Sequence, residues 1–373
     1  MNAKAQGAAK KSGRFPILDA LRIVLAWSVT YDHLGVFPLF GAVDKGAGLI
    51  HILARGWRTL VWGPPAVIGF FVISGFCIHL PFCREERLDV GRYYARRYLR
   101  ILVPVAAAVW INRAVGNHQA IFGTDSVLWH SVLWSLICEE LYYAVYPAVR
   151  LVQRRFGWFA LLAPVFLTGT ITSLLYPNCL DGSILGVFKT SVVYFPIWLL
   201  GCLLAEQSGR LAAIDSPWII WKWRCLAWFG SWVCEMLHFH GKLSRETVLL
   251  AFGLLAYFWI RQEVAYGLRA RPSALLAWGG LWSYSLYLMH GPASEIVGKL
   301  PVPDFGLYAN WFVFYGLVLG ISYLFYCCVE RPSHQFARKI RLTSASSAAR
   351  PVPVGDASAV LADAFTSTGD GLG

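Results

Sequence analysis

The chain alternates long apolar runs with short polar connections. Ten runs of about 17–25 residues have the length that ~30 Å of hydrocarbon requires. This pattern predicts an all-α, polytopic bundle of about ten transmembrane helices within residues 16–341. Residues 1–15 form a predicted cytoplasmic basic tail, and residues 342–373, rich in Ser, Ala, Gly and Pro, a predicted disordered cytoplasmic tail. The predicted spans are 16–38, 59–80, 98–115, 130–150, 158–176, 187–206, 218–237, 246–261, 274–291 and 308–329.

The distribution of basic residues predicts the orientation of this bundle. Hydrophobic residues make up 57% of the chain and charged residues only 14%, yet the net charge is +12. Alternate loops carry most of the excess: the connection 84–100 holds six arginines and 150–155 holds three, whereas the loops opposite them hold few. This is the positive-inside asymmetry of a membrane protein, and it places both termini in the cytoplasm. It also accounts for the charge without a nucleic-acid partner.

The first span carries ionisable residues that a signal peptide or a simple anchor does not need. Asp19, Arg22, Asp32 and His33 interrupt its apolar core, and no clear cleavage site follows, so we predict a retained span. Arg22 and His33 are eleven residues apart, close to three helical turns, so they share a face with ~16 Å between them. Such groups within a span are functional candidates. The alternative is an arginine that extends to the headgroups and a histidine satisfied in the core.

The fourth span contains two adjacent glutamates, Glu139 and Glu140, flanked by aromatic residues. Adjacent positions diverge by about 100° on a helix, so at most one of them faces a common cavity with Ser135 and Tyr143. A glutamate at this depth must be protonated, paired or solvated. In the second span, Ser74 and Gly75 form a small polar pair, for which close approach of two helix backbones is a sufficient explanation.

Three further positions are chemical candidates near the ends of spans. Arg97 and Arg100 share a face at the cytoplasmic end of the third span, where they either anchor the helix or bind phosphate through guanidinium forks. His290 ends the predicted ninth span beside Gly291 and Pro292. At 1.5 Å per residue it lies ~24 Å above the cytoplasmic face, level with His33. An interfacial or capping role is adequate for it.

Six stretches together resemble the acyltransferase-3 family of integral membrane O-acyltransferases. They occur in the family's order across nearly the whole chain. The first is Leu18–Arg22 with His33, the family's arginine-x10-histidine pattern. The others are FFVISGF at 70–76, RRYLRILVP at 96–104, WSLICEELYY at 134–143, SYSLYLMHGP at 283–292 and Glu330-x-Pro332.

The resemblance implies a multi-pass enzyme of the cell membrane, most simply the bacterial cytoplasmic membrane. It implies transfer of an acyl group from cytoplasmic acyl-CoA to a hydroxyl of an envelope or extracellular glycan or glycolipid. Acetyl-CoA is the simplest donor, and longer acyl groups stay open. No permanently bound cofactor and no metal are implied. By the family pattern, the functional residues are Arg22, His33, Arg97, Arg100 and Glu139.

We therefore expect His33 to be the general base, a role that its unperturbed pKa near 6.5 suits. Glu139 is the second catalytic candidate, because it could orient the imidazole or contact the acceptor. The expected substrate-binding residues are Arg22, Ser74, Arg97, Arg100, Ser135, Tyr143 and His290. The alternative function is a proton-coupled transporter that uses a His/Glu/Arg relay. The absence of recognisable inverted repeats counts against it.

Overall fold

The computed structural model describes residues 15–41, 48–83, 88–115, 132–177, 179 and 184–339, apart from the side chain at 338. Almost all of both predicted tails, and the basic residue Lys45 in a predicted outer loop, therefore lie outside the described residues. The domain boundaries stay predictions.

Within the described residues the chain is helical throughout and contains no strand. The first six helices are α1 (Pro16–Leu34), α2 (Leu49–Arg58), α3 (Gly63–His79), α4 (Val90–Ala114), α5 (Leu133–Leu175) and α6 (Ile184–Gln207). The next six are α7 (Pro217–Phe239), α8 (Arg245–Gly267), α9 (Ala274–Gly279), α10 (Ser283–Gly298), α11 (Leu307–Phe325) and α12 (Arg331–Lys339). A π-helical turn, Tyr326–Glu330, joins the last two.

The ten apolar runs all overlap helices of this structure. Five helical stretches are long and apolar enough to cross a membrane, which supports a membrane protein. The count of ten spans and the cytoplasmic location of the termini stay predictions. The five stretches are Leu49–Phe82, Leu133–Leu175, Leu185–Arg210, Arg245–Gly267 and Leu307–Ala337.

Two helical runs are interrupted in ways that the apolar pattern does not show. Gly157 adopts φ 83° and ψ 174° inside α5, so the predicted fourth and fifth spans are two helices that meet at a kink. Gly280 lies between α9 and α10, where an added Cβ would come 2.1 Å from the Asp19 carbonyl oxygen. The prediction of one continuous span over 274–291 was wrong, because the backbone leaves the helical conformation at Trp282, where φ is −118° and ψ is 12°.

The same region corrects the predicted end of the ninth span. The predicted helix ends at His290, but α10 continues through Pro292 to Gly298. His290 is therefore an interior residue of a helix, only 4% exposed, and neither a cap nor an interfacial residue.

The short helix α2 lies in a connection that was predicted as a loop. Its ten residues are too few to span a bilayer, so a search for long apolar runs passes over it. Trp57 attaches it to the segment that follows α1 by donating its indole N–H to the Phe37 carbonyl oxygen at 2.7 Å.

The closest helix crossing, between α3 and α6, fixes the centre of the bundle. A Cβ on Gly75 would lie 2.0 Å from the Trp198 carbonyl oxygen, and one on Gly201 would lie 2.1 Å from the Val72 carbonyl oxygen. The two backbones thus touch where each helix lacks a side chain, as expected for small residues in membrane helices. This contact holds α3 in place beside α1, and the two helices form one wall of the site.

Candidate active site

A cavity of about 140 Å³ lies among α1, α3, α4, α5 and α10. It brings together six of the residues that the sequence singled out from three separate spans. These are Arg22, Arg97, Arg100, Ser135, Glu139 and Tyr143. Ser74, in contact with Tyr143, lies just behind this wall.

Two neighbouring cavities, of about 440 and 320 Å³, share residues with the first. Arg100 and His334 line all three, so the three cavities adjoin one another at these two side chains. Arg331 lines the larger neighbour and Arg96 the smaller one. We call the part of the site that Arg96, Arg100 and Arg331 line the entrance. It is rich in guanidinium groups, which match the oxygens of phosphate esters.

The three predicted arginines are held in different ways. Arg22 lies 3.5 Å from the Asp19 carboxylate and donates to the Cys77 sulfur at 3.3 Å. The guanidinium of Arg97 stacks over the Tyr143 ring, 4.7 Å from its centroid. Arg100 donates from Nε to Nε2 of His334 at 3.1 Å. None of these contacts is a bidentate pair with a carboxylate, so the forks of Arg97 and Arg100 retain donors for a ligand.

Glu139 is the glutamate that faces the cavity, which answers the choice that helical geometry left open. Its carboxyl group lies near the side chains of Ser74 and Tyr143 and near the guanidinium groups of Arg22 and Arg97. Both carboxyl oxygens of Glu140 are buried without a hydrogen-bond partner among the described residues. Ser74 additionally accepts the indole N–H of Trp198 at 3.2 Å. The pair Ser74–Gly75 thus serves both polar contact and backbone approach.

Phe70 and Tyr287 line the cavity on the side toward His290, and we call this pair the ceiling. Their rings meet edge to face with centroids 5.5 Å apart. Ser135 donates to the Val132 carbonyl oxygen at 2.8 Å and therefore accepts the Tyr287 hydroxyl proton at 2.6 Å. This hydrogen bond fixes the Tyr287 ring across the end of the cavity.

Just beyond the ceiling, His33 and His290 form a hydrogen bond. His33 Nδ1 and His290 Nε2 are 2.9 Å apart, as the equal depth of the two residues suggests. His290 Nδ1 lies 2.9 Å from the Tyr287 carbonyl oxygen, which can only accept, so Nδ1 carries the proton. In a neutral His290, Nε2 must then accept from His33 Nδ1. This leaves Nε2 of His33 unprotonated and able to take a proton.

His33 is the accessible member of this pair. It is exposed at the end of α1, whereas His290 is buried. Its neighbour Asp32 accepts the backbone N–H of Gly63 at 3.0 Å, which ties the end of α1 to the start of α3. The imidazole's hydrogen-bond partner is thus His290. The expected contact between His33 and Glu139 is not made in the described structure.

Glu330 follows the predicted tenth span but is not a surface residue. It is 2% exposed and lines the cavity. One carboxylate oxygen accepts from both the backbone N–H of Ser285, at 3.1 Å, and its hydroxyl, at 2.5 Å. Its partner is 45 positions away in the chain, so no local pattern could reveal this contact. Cys77 and His334, which also line the entrance, carried no spacing signal either.

Residues 15–327 match the family model described as an acyltransferase domain. The match covers far more than half of the chain and includes every candidate described above except Glu330, Arg331 and His334. Searches of curated proteins and of solved structures gave no match.

Proposed function

Because this chain belongs to the acyltransferase-3 family, we propose that it transfers an acyl group from cytoplasmic acyl-CoA to a hydroxyl group on the opposite side of the membrane. The acceptor class is a glycan or glycolipid of the cell envelope, and acetyl is the simplest acyl group. The observation that carries this proposal is the arrangement of an arginine-lined cavity on one side of the ceiling and an exposed imidazole with an unprotonated Nε2 on the other.

The donor side of the proposal rests on the three adjoining cavities. Arg96, Arg97, Arg100 and Arg331 surround the entrance, and they suit the phosphates of coenzyme A. A narrow thioester arm would extend inward past Arg22 and Glu139 toward the ceiling. The small volume of the innermost cavity, about 140 Å³, favours a slender chain there over a nucleotide.

The chemical step on the acceptor side is a direct transfer. Nε2 of His33 removes the proton of the acceptor hydroxyl as its oxygen attacks the thioester carbonyl carbon. A carbon–oxygen bond forms, the carbon–sulfur bond breaks, and the coenzyme A thiolate leaves and is protonated in turn. In this proposal the ceiling opens for the step, since Phe70 and Tyr287 line the donor cavity whereas His33 and His290 do not.

Two residues receive roles that differ from the initial expectation. His290 is a positioning residue that fixes the His33 tautomer through its Nε2. Glu139 acts on the donor side, where it compensates Arg22 and Arg97 and holds Ser74 and Tyr143 along the path of the thioester arm. The acceptor contact considered for Glu139 would require movement of the ceiling.

The test measures acyl transfer from labelled acetyl-CoA in membranes, with expression matched between variants. We expect His33→Gln to lower the transfer rate by about 10²–10⁴-fold, the usual contribution of a general base. It should still bind acetyl-CoA, because His33 lies beyond the donor cavity. His238→Gln is the matched control, since His238 lies on α7, stacked on Trp62 and in contact with the Leu243 carbonyl oxygen.

A binding arm of the same experiment separates donor recognition from base chemistry. Arg100→Ala should weaken acetyl-CoA binding by about 1.5–3 kcal/mol, the scale of charge-assisted hydrogen bonds. Arg92→Ala, an exposed arginine on the same helix that lines none of these cavities, should leave binding unchanged. Near wild-type transfer by His33→Gln would rule out His33 as the base, and unchanged binding by Arg100→Ala would rule out this donor site.

A further inference from the structure

A further cavity, of about 680 Å³ and separate from the three described above, lies on the other side of α1, against α3, α7, α8 and α9. Its volume is within the ~300–1,000 Å³ of typical ligand pockets. It shares no lining residue with the three cavities of the candidate active site. The α1 residues that face it, including Leu21, Val24 and Ser28, lie on the face opposite Arg22.

The wall of this cavity is largely apolar and aromatic. Four tryptophans line it: Trp62, Trp221, Trp228 and Trp259. Trp221 is 56% exposed and Trp228 49%, so the cavity opens between α7 and α9 at the outer surface of the bundle. In a helix bundle that crosses a membrane, this surface faces lipid, and an aliphatic chain could enter sideways.

One end of the cavity is positively charged. Arg224 on α7 forms a bidentate pair with the fully buried Glu263, using Nε at 2.7 Å and Nη2 at 2.9 Å. That pair holds the guanidinium in place and leaves the donors of Nη1 outside it. Arg271, an exposed residue just before α9, lines the same cavity. Both arginines belong to segments predicted to lie on the cytoplasmic side.

We propose that this cavity is a binding site for an anionic glycerophospholipid of the cytoplasmic leaflet. The acyl chain would lie among the four tryptophans, and the headgroup phosphate would bind Arg271 and Nη1 of Arg224. Guanidinium groups recognise phosphate well, and tryptophan suits the boundary between apolar chain and polar headgroup. The site is independent of the proposed acyl transfer, because α1 separates the two sets of cavities.

The experiment is native mass spectrometry of the full chain in detergent, titrated with dioleoyl phosphatidylglycerol or with dioleoyl phosphatidylcholine. The chains are identical, so the comparison isolates headgroup charge. We expect the anionic lipid to form the more persistent adduct. Arg271→Gln should lower its affinity by about tenfold, the scale of one charge-assisted hydrogen bond. Lys222→Gln, an exposed cation on α7 outside the cavity lining, is the control and should change little.

A second pair of variants tests the apolar wall. Trp221→Ala should weaken binding of both lipids, whereas Trp218→Ala should weaken neither, because Trp218 is exposed on the same helix but does not line the cavity. Equal affinity for the two lipids would overturn the proposal. So would equal effects of the members of either variant pair, since lipid would then be bound only at the general surface. Native mass spectrometry measures lipid binding and not catalysis. A negative result would therefore overturn the lipid site and leave the proposed acyl transfer untouched.

Discussion

At the scale of single residues, His290 illustrates how a buried side chain can decide the chemistry of an exposed one. His290 is buried, yet its two ring nitrogens join the Tyr287 carbonyl oxygen to Nδ1 of His33. If that link is cut, the His33 ring can rotate and can place its proton on either nitrogen. The base would then be correctly arranged for only a fraction of the time.

We therefore expect His290→Leu to lower acyl transfer by about tenfold or more, since one lost hydrogen bond of this kind is worth ~1.5 kcal/mol. His290→Gln keeps an amide oxygen that can accept from His33, so it should recover much of the rate. The measurement is initial rate at saturating donor, with acyl-CoA binding as the readout that must stay constant. Equal loss in the leucine and glutamine variants would indicate a packing role instead.

The residues of the site differ in how far sequence reasoning could reach them. Arg22, Glu139 and Arg100 stand out because charge is rare inside apolar runs, and helical spacing places them at consistent depths. Spacing along one helix does not give the rotation of one helix relative to another. Spacing therefore did not identify His290 as the hydrogen-bond partner of His33, nor the hydrogen bonds from Ser285 to Glu330.

At the scale of helices, the contact between α3 and α6 depends on two absent side chains. Backbone of one helix occupies the space that a Cβ on the other would need. Any added atom must push the helices apart, because carbonyl oxygens cannot rotate away as a flexible side chain can. Ser74 and Trp198 flank this point, so separation would also disturb the wall that holds Glu139.

Gly75→Ala should accordingly lower the free energy of unfolding by about 1–3 kcal/mol, the usual cost of overpacking. Thermal unfolding of purified protein in detergent measures this effect. Gly316→Ala on α11 is the control, because nothing lies within 4 Å of the Cβ it would add. A melting temperature for Gly75→Ala equal to that of Gly316→Ala would contradict the close approach of the two backbones.

Helices were easier to predict than their interruptions. Long apolar runs produce helices wherever they occur, and all ten runs overlap one. The breaks at Gly157 and Trp282 depend on the backbone conformations of these residues, and the residue types alone do not indicate them. The helix α2 was not predicted, because Leu49–Arg58 is shorter than any membrane span.

At the scale of the whole molecule, the proposed mechanism requires a defined orientation in the membrane. The distribution of arginines predicts that the connection between α10 and α11 faces outward and that the connection between α6 and α7 faces the cytoplasm. His33 then lies on the outer side and Arg100 on the inner side, as the proposed transfer needs.

Cysteine labelling with a membrane-impermeant reagent tests this orientation in intact cells. Val302→Cys, at a position 38% exposed between α10 and α11, should be labelled from outside. Gly209→Cys, exposed between α6 and α7, should react only after the cells are opened. The exposed native residues Cys225 and Cys328 are replaced by serine in both variants to lower the background. The opposite result would invert the bundle and exclude a cytoplasmic donor.

The ceiling of Phe70 and Tyr287 has a consequence for what crosses between the two compartments. Under the proposed mechanism, rings that part only for the transfer would keep the coenzyme in its own compartment while the small group that it carries crosses. Chemical reaction and transport would then be a single vectorial event, driven by the energy of the thioester. While the two rings are in contact, they would also separate the activated donor from water on the far side.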